Sequence, residues 1–358
     1  MKVYEREFEI AQSHAAESLK DFPGFTADQL ELVRKQSSRY YRWYKGHPIA
    51  HNWISVGVIL FLLFADYLAL CRLPGLMPGA LDPDSPLKLK WLAALVCGLV
   101  HGFVGYNLVV YTIHEGGSHN LIIQGTGAPT RALRFLANNA SRLMMSDPVF
   151  YKIHHIAHHS KFATAQDGSF TNFVFPWRFY RSFMPFAAFL DYNDFRVHAG
   201  IGFSRSRVIS MAVGFCYIGA YGLFLVPHFG WLFSILTLLV INIHFAFLLD
   251  RLREGVEHNL MPLDRTNGTR NFGWGFWGML IGGGPWGQGC HLSHHLAPML
   301  PWYHQLLLHR TLERILTPAQ RHVFFLQPWI GFPLLVGRIF KQSWSLARAA
   351  TLAAQIDA

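Results

Sequence analysis

Charge is what this chain has least of. Asp, Glu, Lys and Arg make up 15% of its 358 residues, against roughly a quarter in average soluble proteins. A polar-surfaced soluble domain of this length is therefore not expected. Cysteine is also sparse: Cys71, Cys97, Cys216 and Cys290 lie far apart and form no CxxC pair. That excludes a disulfide framework and a zinc–thiolate site, and leaves too few thiolates for a fused iron–sulfur module. Cys290 adjoins a histidine and is read as a small packing residue. The net charge of +10 is not gathered into a basic tract, and no nucleic-acid motif accompanies it. Nucleic acid is not an expected partner; Lys and Arg facing anionic lipid account for the charge. Residues 1–45 are polar and mixed in charge, so no signal peptide is expected there.

What is present is apolar and aromatic. Hydrophobic residues reach 51%, with 30 Phe, 13 Tyr and 11 Trp, as suits a protein whose Trp and Tyr gather at membrane interfaces. Four runs are long enough to cross a bilayer: Trp53 to Leu70, Trp91 to Ile113, Val208 to Val226 and Trp231 to Leu249. Asp66 falls near the end of the first run and is expected to reach water. Residues 71–90, rich in Pro, Gly and Asp, read as a loop, and Pro227–Gly230 as a tight hairpin. Ahead of the first run, Thr26 is placed to cap a helix over TADQLELVRKQ, and RYYRWYKGHP (39–48) suits a headgroup layer. The stretch 173–189 could lie along the interface, and 323–340, apolar but broken by two prolines, reads as interfacial or packed on the body. With two hairpins, the exterior loops hold three basic residues (Arg72, Lys88, Lys90), and the other 28 of 31 fall on the opposite side. The positive-inside rule puts both termini in the cytoplasm.

The chain also carries 20 histidines, and nine of them fall into clusters beside these apolar runs. His291, His294 and His295 are spaced H-x-x-H-H in GCHLSHHLAPMLPWY, so one helical turn can aim three imidazoles at a metal. YKIHHIAHHS leaves two registers open. His155, His158 and His159 repeat the last pattern and are preferred, and His154 with His158 is the alternative. HEGGSH sets His114 and His119 five residues apart, about 140° round an ideal α-helix, although Gly116 and Gly117 let the helix end or distort there. His258 closes REGVEH. Nine histidines exceed one metal's capacity, and two metals with four or five imidazoles each would use them all. Imidazole suits iron, zinc, copper and nickel alike. Glu254 and Glu257 are candidates for an extra ligand or for a partner to a ligand's other ring nitrogen. The remaining histidines, His101 among them, lack partners at ligand spacing.

The boxes H-x4-H, H-x2-HH and H-x2-HH, placed after the second run, in the next loop and after the fourth run, resemble those of the membrane fatty acid desaturases. HLSHHLAPMLPWY is similar to that family's HH-L-x-P-x-x-P-x-Y. The resemblance covers roughly residues 50–315. It implies an all-α membrane protein with four transmembrane helices and a cytosolic helical cap carrying the boxes. It further implies two iron ions on the nine histidines, with O2 as co-substrate for attack on an unactivated C–H bond of a fatty acid or acyl thioester. His258 matches the family's lone histidine, and Asp167 an acidic position often found after the second box. The acyl tail would lie in an apolar tunnel between the spans. A separate electron donor of ferredoxin, rubredoxin or cytochrome b5 type, with its reductase, is implied as well. Glu254 stands where stearoyl-CoA desaturases carry asparagine, and GPWGQGC precedes the last box where many members have asparagine. Desaturation is the expected reaction, with hydroxylation and oxidative decarboxylation to a terminal alkene as alternatives within the class. From another class, a metal transporter is the competitor, but transport ligands usually sit near the bilayer midplane, whereas these lie at one face. The expected domains are 1–50 as a cytosolic arm, 51–315 as the membrane di-iron body and 316–358 as a helical tail.

Overall fold

A computed structural model describes residues 19–77, 86–164, 204–238, 243–286, 288–327 and 329–356, together with Glu9, Ser13 and Asp167. The interfacial stretch expected at 173–189 lies outside the described residues. Those described are helical, joined by turns, with one isolated parallel bridge between Asn271 and Phe325; two of the shorter helices are α4 (Ala128–Asn139) and α8 (Phe276–Leu280). The chain forms two compact units. One comprises Met1–His47, Ile153–Ile201 and Arg251–Ala358, and the other Pro48–Lys152 and Gly202–Asp250.

The second unit carries the long apolar helices. Four segments are long and apolar enough to cross a membrane: Pro48–Ala69, Leu87–Ser118, Arg205–Pro227 and Gly230–His258, the last running across residues outside the described set. Each is longer than the apolar run that announces it, because helix continues through the polar flanks. Helix α2 (Pro48–Cys71) starts on a proline, which the first turn tolerates, and α3 (Leu87–Val109) starts four residues before Trp91. In α6 (Arg205–Ile235) the helix is broken, at the position expected for a hairpin, by Gly230, whose φ of 70° and ψ of 172° are non-helical, and Leu238 beyond the break comes within contact distance of Gly222 before it. Small residues allow close packing, with Ala93, Ala94 and Cys97 of α3 meeting Ile218, Leu225 and Leu238. Leu60, Phe61, Phe64, Leu223, Phe224 and Leu232 stay exposed, as on a lipid-facing surface.

Asp66 does not reach water. It is 2% exposed, and one carboxylate oxygen accepts from Nδ1 of His101 while the other accepts from the hydroxyls of Tyr217 and Tyr221. A carboxylate turned into a span must find donors in protein when water is absent, and three facing side chains supply them. His101, set aside as a metal ligand for want of partners at ligand spacing, is one of them.

The first unit is a compact helical body. Helix α1 (Ala27–Gly46) begins in a capping box, with Thr26 accepting from the Gln29 amide and the Gln29 side chain reaching back to the Thr26 N–H. The same box recurs at Thr317–Gln320, opening α11 (Pro318–Phe324), and the two glutamine side chains hydrogen-bond each other at 2.9 Å. The core beneath joins Val33 to Leu292, Leu300, Leu308, Leu312 and Phe324. Leu308 and Leu312 belong to α10 (Trp302–Ile315). The tail is packed on this body. Pro333 falls in the first turn of α12 (Gly331–Ile356), where it does not break the helix, and Phe332 stacks on Trp277 with ring centroids 4.5 Å apart. The glycine-rich loop 281–289 is tight rather than open. A methyl group on Gly282 would lie 2.8 Å from Gly289 Cα, and Gly289 accepts from the amides of Phe272 and Gly273.

Candidate metal centre

Three helices bring histidines of the first unit together. Helix α5 (Pro148–Ser160) is opened by Asp147, which accepts from the amides of Val149 and Phe150, with Pro148 at its first position. It presents His155, His158 and His159. Helix α7 (Ile243–His258) ends on His258, and α9 (His291–Leu296) is the single turn that carries the last box.

The histidines sort by face. Ligating nitrogens of His158, His258, His291 and His295 all lie within 4.8 Å of one another, and all four residues are buried. Nε2 of His158 is 3.3 Å from that of His295, and Nε2 of His291 is 3.1 Å from those of His258 and His295. A second group in the same unit joins His155, His159 and His294, with the His159 Nε2 3.0 Å from His155 and 2.8 Å from His294. Each H-x-x-H-H box is therefore divided between groups instead of converging on one point. His291 and His295, one turn apart, share a face and leave His294 to the other group; His155 and His159 share a face and leave His158. His154 joins neither group. It lies beside Glu254, whose charge partly offsets the lowering of its imidazole by burial.

The outward ring nitrogens explain why the first set fits a cation. His158 donates from Nδ1 to Asp167 Oδ1 at 2.9 Å, His258 to the Gly268 carbonyl at 2.9 Å and His291 to Gln288 Oε1 at 2.5 Å. An imidazole protonated at Nδ1 carries its lone pair on Nε2, so these lone pairs converge. Burial, with neighbouring imidazoles adding to it, pushes His291 and His295 well below the ordinary histidine range, so both are neutral. Lone pairs at about 3 Å repel unless a cation lies among them. Metal–imidazole bonds of about 2.1 Å, as for zinc, meeting at 90–110° put the nitrogens roughly 3.0–3.4 Å apart, which is the spacing found.

Around the first set, Asp167 also accepts from the Ala163 amide at 2.9 Å, which pins the carboxylate behind His158. Glu257 lies 3.5 Å from His291 Nε2 and is held by Arg253 at 2.6 Å. Glu254 pairs with Arg251 at 3.2 Å. Gln288 is a residue that sequence reasoning missed. The available signal was its position three residues before His291, where a helical turn brings the two side chains together.

His114 and His119 belong to the second unit. The span there does not continue as α-helix. Residues Val110–Ser118 form a π-helix, and the His119 amide donates to the His114 carbonyl five residues back, at 3.3 Å. The α-helical offset of about 140° therefore does not apply: five residues close one wider turn, and the two rings lie 5.0 Å apart. Glu115 sits 3.1 Å from Nδ1 of His114, and burial lowers the His119 imidazole to about 4.

Buried imidazoles with converging lone pairs, in a chain with four apolar spans, are what a histidine-held metal site of a membrane protein would require. The fatty acid desaturase family model matches residues 89–327, two-thirds of the chain, and the chain belongs to that family. It is a membrane oxidoreductase acting on fatty acyl chains, and its buried histidines are compatible with iron. Neither a curated protein nor a solved structure matches it.

Proposed function

We propose that this chain is a di-iron fatty acyl desaturase. One iron is assigned to His158, His258, His291 and His295, and the other to His155, His159 and His294 with His114 and His119. The convergence of four lone-pair-bearing nitrogens in a buried site carries the reading. For the second iron, three imidazoles leave the set short, and the H-x4-H box, whose own two rings lie 5.0 Å apart, is assigned the remaining two on the family resemblance. Bound iron supplies the dioxygen and one-electron chemistry that side chains lack.

The chain's own residues do the rest. Asp167, Gln288 and the Gly268 carbonyl hold the outward protons of His158, His291 and His258, so their inward nitrogens stay free to bind. Burial of the set excludes water and keeps His291 and His295 neutral. Glu257, beside His291, is placed as a further ligand or as a partner to that ring, whereas Glu254 is engaged by Arg251. The acyl tail is assigned to the apolar interior of the spans. Reducing equivalents come from a separate ferredoxin, rubredoxin or cytochrome b5 with its reductase, since four dispersed cysteines furnish no cluster. The basic-residue distribution supports a cytoplasmic location for the termini and the histidine boxes.

The test is product analysis in cells expressing the chain and fed a deuterated saturated fatty acid, with His294→Ala as control. Desaturation predicts a labelled product of unchanged carbon number and two fewer hydrogens or deuteriums, absent from the control. Added oxygen would assign hydroxylation, and loss of one carbon with a terminal alkene would assign decarboxylation. Purified wild-type protein should carry two irons and the variant fewer. Protein that folds but takes up no iron ends the di-iron reading.

A further inference from the structure

Away from the clustered histidines, the first unit carries a half-open cavity of about 430 Å³. Its walls are largely apolar, with Leu19, Phe22, Met261, Val323 and Leu335 among them, but its charges do not balance: Lys20, Arg270 and Arg338 face Asp21 alone. Arg270 is buried. It donates at 2.8 Å to the carbonyls of Val256 and Asn259, where α7 ends. A cation there complements the helix dipole, which explains its position without neutralising it. Among the described residues, no carboxylate lies within ion-pair distance of Arg270, Arg338 or Lys20. Burial, and the Arg338 charge lining the same cavity, lower the Arg270 guanidinium to about 9. Like charges sharing a cavity destabilise each other, most where one of them is buried as Arg270 is, and an anion placed with them relieves both.

We propose that this cavity binds a phosphate-bearing amphiphile, with its anionic head on Arg270, Arg338 and Lys20 and its tail against the apolar wall. The headgroup of an acidic glycerophospholipid is the source the lining favours, because free phosphate gains nothing from apolar walls. Trp329, Ile330 and Leu334 also stand 74%, 59% and 55% exposed beside the cavity at the start of α12, a surface suited to acyl chains. This site is separate from the metal centre and does not depend on the reaction assigned to it.

The test uses the full chain in detergent, titrated with phosphatidylglycerol or phosphatidylcholine and read by native mass spectrometry. Arg270 helps close α7, so the exposed pair Lys20→Glu/Arg338→Glu is the test variant, and Arg34→Glu/Lys35→Glu, also exposed, is the charge-matched control. Wild type and control should bind phosphatidylglycerol at least tenfold more tightly than phosphatidylcholine. The test variant should lose that preference while keeping its melting temperature and iron content. Millimolar inorganic phosphate that displaces the lipid and itself binds wild type but not the test variant would keep the anion site and reassign its source to free phosphate. Equal binding of the two lipids by wild type, or equal loss in the control variant, overturns the proposal.

Discussion

His158 and His291 are each held from behind by a side chain that touches no metal position. Asp167 is itself anchored by the Ala163 amide, and Gln288 sits three residues before the ring it orients. His295 differs: its Nδ1 is buried without a hydrogen-bond partner, and its ring rests against Phe162 with centroids 5.4 Å apart. Orientation by hydrogen bonding at the first two rings should therefore be separable from orientation by packing at the third. Asp167→Ala and Gln288→Ala are each expected to weaken iron binding by about 10- to 100-fold, with helix content by circular dichroism unchanged. Chelator competition on purified protein measures this. Iron held as tightly as in wild type would mean that packing alone sets the rings.

Among the elements, the second span departs furthest from its sequence reading. An α-helix would turn His114 and His119 apart, and the π-helical turn brings their rings together. Gly116 and Gly117 hint that the helix is deformable there, but they do not say whether it ends, kinks or widens. Further along the spans, Asp66 ties α2 to α3 and α6 through His101, Tyr217 and Tyr221. Asp66→Leu would leave those donors buried without their acceptor, at a cost of about 1–3 kcal/mol for an unsatisfied group. A lower melting temperature in detergent is expected, and Asp66→Asn, which keeps an acceptor, should lose less. Equal melting of wild type and Asp66→Leu would show that the carboxylate does not hold the helices together.

For the whole molecule, composition and charge placement speak to the membrane more directly than any contact does. Three basic residues in the proposed exterior loops against 28 elsewhere predict that a reporter fused after Ala358 is active only in the cytoplasm. A cysteine introduced at Asp84, in the connector between the first two spans, should be modified by an impermeant reagent from outside intact cells. The reverse pattern would invert the orientation and place the histidines on the exterior face.

The four spans, the cap at Thr26 and the histidine-bearing segments were legible in the sequence because each is a local property. Apolar run length, a capping threonine before a helix-forming run and an i, i+3, i+4 repeat all act within a few turns of one helix. Local spacing shows which residues share a face, but not what that face meets. Only tertiary structure divided each H-x-x-H-H box between two groups, because His158 finds its partners on α7 and α9 while His155 and His159 meet His294. Only tertiary structure turned Asp66 inward, since the donors that make its burial tolerable come from helices 35 and about 150 residues further along the chain. Burial and pairing are settled by groups distant in sequence, and no pattern within a single segment encodes them.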